Sequence, residues 1–151
     1  MTLIAQEIAD KWVAQGLSKR PGVSAEQVAE FEQRHSVVLP RDFRAYLQLV
    51  DGMNEAMDDE SFRFWPLAEI QPADQVLEPH HTDRDWYPGC FIFADFLTWC
   101  WAYAIRLAGA PPEVGNIFIV YGDDTRRPLI ADSFSEFAER YIRNPDSLLP
   151  P

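Results

Sequence analysis

The sequence predicts an α+β fold: a mainly antiparallel sheet of about four to six strands, covered by N-terminal helices and one C-terminal helix. Two observations predict it. Apolar residues recur at helical spacing up to about residue 50, alternate beyond about residue 60, and return to helical spacing after residue 132. Helices first, consecutive strands next and one helix last is the order of an antiparallel sheet with helices on it. A third observation makes a packed core possible. The chain has 151 residues, 47% hydrophobic and 13% aromatic, enough to bury a core without a staple. No repeat, linker or second domain interrupts it, so residues 1–151 read as one domain.

Residues 2–15 read as a helix, with Leu3, Ile4, Ile8, Trp12 and Val13 at helical spacing and Gly16 placed to stop it. A second helix opens at Ser24, where Ser24-Ala25-Glu26-Gln27 fits a capping box, and Val28, Phe31 and His35 take its inner face. Pro40 suits the start of a third helix over residues 41–50, with Phe43, Tyr46, Leu47 and Val50 on one stripe and Asp51-Gly52 closing it.

Phe62 and Phe64 alternate with Arg63 and Trp65, a strand that ends at Pro66. Residues 68–89 carry three prolines and many acids, and predict mainly loop with a helical turn. Residues 91–96 and 98–107 are strong strands. The second places Trp99, Trp101, Tyr103 and Ile105 on one face, and on the other Cys100, Ala102 and Ala104, small enough to let a helix approach. Residues 109–115 are a turn, 116–121 a strand, 122–124 another turn, and 129–131 a short strand. Asp132 or Ser133 caps the last helix, whose face carries Phe134, Phe137, Tyr141 and Ile142, and Asn144-Pro145 ends it.

Charge is the loudest compositional signal. Thirteen Lys and Arg against 24 Asp and Glu give −11 and a pI near 4.5. Such a field repels nucleic acid and anionic membrane and draws in basic partners. The charge is uneven: residues 51–85 hold ten acids and two bases, so −8 of the −11 falls there. No apolar run approaches the roughly 18 residues of a membrane helix. The start of the chain lacks the basic stretch of a secretory signal, which predicts a cytoplasmic protein. Cys90 and Cys100 are then expected reduced and buried.

Catalytic and metal chemistry finds little support. There is no Gly-x-Ser-x-Gly, P-loop or dinucleotide fingerprint, and nothing links Cys90 to His35. Asp58-Asp59 and Asp123-Asp124 read as solvated turn formers rather than carboxylate dyads. His80-His81 with Asp83 and Asp85 is the nearest approach to a metal cluster, but adjacent histidines do not readily point at one ion. No catalytic residue, metal ligand or cofactor is assigned, and an enzyme is not expected. Most aromatics read as core. Trp86-Tyr87, in a proline-rich loop ringed by carboxylates, follows no core period and has the character of interface anchors. The expected partner-binding set is therefore Glu55, Asp58, Asp59, Glu60, Asp83, Asp85, Trp86 and Tyr87.

Three stretches together resemble the SUKH superfamily, whose founding member is a fungal regulator of cell-wall synthesis. They are residues 28–52, with Val28-Ala29-Glu30-Phe31-Glu32, Leu39-Pro40-Arg41-Asp42-Phe43, Tyr46-Leu47 and Asp51-Gly52; the strand Phe62-Arg63-Phe64-Trp65-Pro66-Leu67; and the tail Gly115-Asn116-Ile117-Phe118 with Asp132-Ser133-Phe134-Ser135-Glu136-Phe137. The resemblance covers about residues 24–143. It implies helices packed on a mainly antiparallel sheet, no shared catalytic residues, and a role in binding protein. Its many bacterial members are largely immunity proteins that neutralise toxins, so a basic toxin domain is the implied partner. The alternatives are a regulatory or scaffold domain that binds an endogenous protein or peptide, and a small-molecule-binding domain with a pocket lined by Trp99 and Trp101.

Overall fold

A computed structural model of the chain describes residues 2–18, 20–76, 89–109, 113–120 and 128–150. Three helices come first: α1 (Thr2–Ala14), α2 (Ala25–His35) and α3 (Arg41–Leu49). Six strands follow, β1 (Phe62–Phe64), β2 (Gln71–Pro72), β3 (Cys90–Phe96), β4 (Trp101–Arg106), β5 (Ile117–Val120) and β6 (Leu129–Ala131), with the short helix α4 (Ala73–Val76) after β2. Helix α5 (Phe134–Arg143) and a 3-10 turn, Pro145–Leu148, come last. The strands form one antiparallel sheet in the order β1-β3-β4-β5-β6, with β2 also paired to β3. This is the α+β architecture that the periodicity predicts.

Local signals set the helix ends. The Ser24 hydroxyl accepts from the Gln27 amide at 3.1 Å while the Gln27 side chain accepts from the Ser24 amide at 2.8 Å. Ser133, not Asp132, caps α5, its hydroxyl accepting from the Glu136 amide. Asp42 reinforces that cap from another helix: its carboxylate accepts from the amide and the hydroxyl of Ser135. Gly16 takes φ 78° after α1. Pro40 stands one residue earlier than expected, immediately before α3. At Gly52 (φ +64°) a side chain would meet Pro66 nitrogen at 2.6 Å, so glycine is what lets the chain pass so close to Trp65 and Pro66, just after β1.

Helices α1, α3 and α5 lay their aromatic faces on one side of the sheet. Trp12, Tyr46 and Tyr141 surround Phe64, while Phe43, Phe134 and Phe137 surround Phe93. A register shift between Ile92 and Ala94 lets Phe91, Phe93 and Phe96 all reach this side, where Phe91 meets Phe31 and His35 of α2. Burial and the neighbouring Arg34 charge lower the His35 pKa. Tyr103 packs on Phe62 and Phe137, so the helices cover the Tyr103 face of β4. The expectation that a helix rests on Ala102 and Ala104 is therefore corrected for α1, α3 and α5. Large rings on both layers interlock and supply the buried area.

The strand expected over residues 98–107 begins only at Trp101. Leu97, Thr98 and Trp99 take φ of 48°, 53° and 71°, and the Cys100 amide bonds back to the Phe96 carbonyl at 3.0 Å, so the chain reverses here. Trp99 thus leaves the β4 row. Trp101 stays in it, stacks on Phe96 at 4.4 Å and donates to the Tyr103 hydroxyl, which donates to the Leu148 carbonyl.

Among the described residues, the outward groups of β1 are already taken. Met53 and Asp58 donate their amides to the Phe64 and Phe62 carbonyls, and the Asp58 carboxylate accepts from the Phe62 amide. Along β6, Arg140 donates to the Ile130 carbonyl.

Candidate functional site

The acidic stretch 51–60 is the part of the expected site that falls within the described residues. Asp58 is 5% exposed. One of its oxygens accepts from the Glu60 and Phe62 amides at 2.9 Å, and the other from the Tyr141 hydroxyl. Tyr141 in turn accepts from the Trp12 indole at 2.8 Å. Burial raises the Asp58 pKa, against those hydrogen bonds. Burial, and then the Asp58 charge, push the Tyr141 phenol well above its usual range. Asp58 is therefore a joint between α1, α5 and β1, and the expectation that it faces a partner is corrected on that ground.

Its neighbours are tied down but reach the surface. Glu60 pairs with Lys11 at 3.1 Å and accepts from Gln15, whose carbonyl oxygen takes the Asp59 amide. Glu55 accepts from the Ser18 amide at 3.0 Å, and hydrogen bonds from Ser18 lower its pKa. The Asp59 side chain is exposed. Elsewhere in the acidic stretch, Asp51 is buried, pairs with Arg20 at 3.2 Å and accepts from the Leu67 amide at 2.6 Å, while Glu69 pairs with Arg63 at 2.9 Å. Asp83, Asp85, Trp86 and Tyr87 lie outside the described residues, as do His80 and His81. Of the expected set, then, Glu55, Asp59 and Glu60 are brought together on one short segment beside the end of α1.

A second feature adjoins this segment, and sequence reading missed it. The Leu97 amide donates to the Ser61 carbonyl at 2.8 Å, joining the β3–β4 turn to the acidic stretch. Among the described residues five non-glycine positions take positive φ. Ser36 ends α2, and the other four, Ser61, Leu97, Thr98 and Trp99, meet here. Left-handed backbone costs L-residues about 1–2 kcal/mol each, and such strain gathers where function holds it. The turn presents Leu97 at 47% and Trp99 at 41% exposure, and Cys100 is exposed too, which corrects the expectation that both cysteines are buried: Cys90 is, but the turn carries Cys100 to the surface.

Beneath Trp99 the support is firm. Trp99 meets Trp65 edge to face at 5.7 Å. Trp65 is buried, donates its indole to Asp95 at 2.6 Å, and is overlaid by the Arg63 guanidinium at 5.9 Å. Burial raises the Asp95 pKa against the Trp65 hydrogen bond and one from the Trp99 backbone. Trp99 and Trp101 thus belong to different surroundings, one with Trp65 and the other with Phe96, and do not line a shared pocket.

Comparison with protein-family profiles matches residues 22–140 to the SMI1 / KNR4 family (SUKH-1). The chain belongs to the SUKH family. The matched span runs from before α2 through most of α5, and so takes in the whole sheet, the acidic segment and the strained turn. No curated protein matches the chain. Among the described residues no helix is long and apolar enough to cross a membrane, and no group of three His, Cys, Asp or Glu is placed to hold a metal.

Proposed function

We propose that this SUKH domain acts by binding a basic protein and that, of the roles such domains serve, it is an immunity protein that neutralises a toxin domain. One observation carries the basic partner: a net charge of −11, of which −8 falls within residues 51–85. Near α1, Asp59 is the exposed part of that charge, with the half-buried Glu55 and Glu60 beside it, the three held by Ser18, Gln15 and Lys11. Asp83, Asp85, Trp86 and Tyr87 extend the proposed contact along the chain. Carboxylates fixed beforehand, as those of Glu55 and Glu60 are, lose little freedom when a cation arrives, and the acidic field speeds encounter. Binding rather than catalysis also suits the buried carboxylates, because Asp42, Asp51, Asp58 and Asp95 all accept hydrogen bonds from the protein itself.

The test uses the purified polypeptide encoded immediately upstream of this chain. It should bind this protein with an association rate that falls at least tenfold from low to physiological salt, and co-expression should relieve its toxicity. A salt-independent rate would remove the acidic contact. A harmless upstream product that does not bind would favour a regulatory or scaffold domain with an endogenous partner.

A further inference from the structure

We infer that the strained β3–β4 turn, Leu97-Thr98-Trp99-Cys100, is the apolar anchor of the partner contact, inserting Leu97 and Trp99 into a socket on a basic protein surface. The inference rests on the immunity reading and adds to it the place and chemistry of the central contact.

Three independent features converge. The first is conformation. Four of the five positive-φ non-glycine residues among those described meet at one spot, and none of the four is a type that favours that backbone. A connection that only had to reverse the chain is served by Gly or Asn at such positions. Leu, Thr and Trp there present side chains instead.

The second is exposure over a rigid base. Leu97 and Trp99 lie open to solvent, yet Trp99 rests on Trp65, which Asp95 and Arg63 fix in place. An aromatic held at its root and free at its edge has the make-up of an interface hot spot, since little freedom is lost on binding. The third is charge. The Leu97–Ser61 hydrogen bond sets the turn next to the end of the acidic segment, where the Asp59 side chain is exposed. An apolar tip adjoining an acidic segment fits a socket adjoining a cationic surface.

The upstream-encoded polypeptide is again the probe. Trp99→Asn and Leu97→Asn keep a residue that tolerates left-handed backbone while removing the apolar group. Each should weaken binding at least tenfold and leave the melting temperature unchanged or higher. Val38→Asn provides the control: Val38 is 68% exposed and lines a cleft with Leu107, at the end of the sheet away from the turn, and its change should leave affinity within twofold. The unaltered protein supplies a third reading, because Cys100 is exposed and Cys90 buried. Complex formation should slow alkylation of Cys100 at least tenfold. If Trp99→Asn lowers the melting temperature, Leu97→Asn and Cys100 protection decide. Undiminished binding by Leu97→Asn with unprotected Cys100 overturns this inference and leaves the immunity reading standing. Failure of the unaltered protein to bind overturns both.

Discussion

The 51–61 segment and the 97–100 turn are joined by the Leu97–Ser61 backbone hydrogen bond, yet they treat their side chains in opposite ways. The first is acidic, and turns Asp51 and Asp58 inward to backbone amides, Arg20 and Tyr141. The second is apolar and turns Leu97 and Trp99 outward. Residue type alone would reverse the two placements. What decides them is which neighbours offer partners. A carboxylate can go inside when several donors converge on it. An aromatic stays partly outside when a left-handed turn carries it out of the strand row and onto another ring, as Trp99 sits on Trp65.

That contrast is open to measurement. Asp58→Ala leaves the amides of Glu60 and Phe62 and the Tyr141 hydroxyl without their acceptor, and should cost about 3 kcal/mol or more in urea unfolding. A loss below about 1 kcal/mol would mean that the carboxylate is not a structural joint. On the opposite side of the comparison, Thr98→Gly relieves a β-branched residue at φ 53° and should stabilise the fold by about 0.5–1 kcal/mol, after the greater freedom of unfolded glycine is offset. A destabilised Thr98→Gly protein would show that the turn is not strained.

Acid dependence separates the regions more finely. Asp58 and Asp95 have folded pKa values above their ordinary ones, because burial disfavours their charge. Between about pH 4 and those raised values the folded state holds protons that the unfolded state has released, so their contribution to stability is greatest below about pH 4 and declines as pH rises. Glu55, with its pKa lowered, works in the other direction, losing its contribution as pH falls through its folded value. Asp95→Asn should therefore flatten the decline in stability above about pH 4, measured by denaturation across the range to neutrality. An unaltered slope would count against a buried, titrating Asp95. The smallest effect is expected for Asp59→Ala: an exposed carboxylate whose amide, not its side chain, makes the contact with Gln15 should change stability by no more than about 0.5 kcal/mol.

Much of the fold was legible because its signals are local. The Ser24–Gln27 box, the Ser133 cap and the Phe91–Phe96 run each declare themselves within a few residues. The 97–100 turn was not legible, because Leu-Thr-Trp-Cys contains no glycine, proline or asparagine and continues the apolar run of β3 into β4. The candidate site was legible as a charged segment but not as a set of roles. Asp58 is closed off by Tyr141, 83 positions away, and Glu60 is held by residues of α1 and its exit, which no spacing within 51–60 reveals.

The covering of β1 also limits how a strand could add to this sheet. The outward carbonyls and amides of Phe62 and Phe64 are taken by the 53–58 stretch, and the Ile130 carbonyl is taken by Arg140. A visiting peptide that tried to extend the sheet would find no free ladder along β1 and an arginine across β6. Recognition is thereby shifted from main chain to side chain. Along β1 the covering also blocks the indiscriminate pairing that an exposed strand invites.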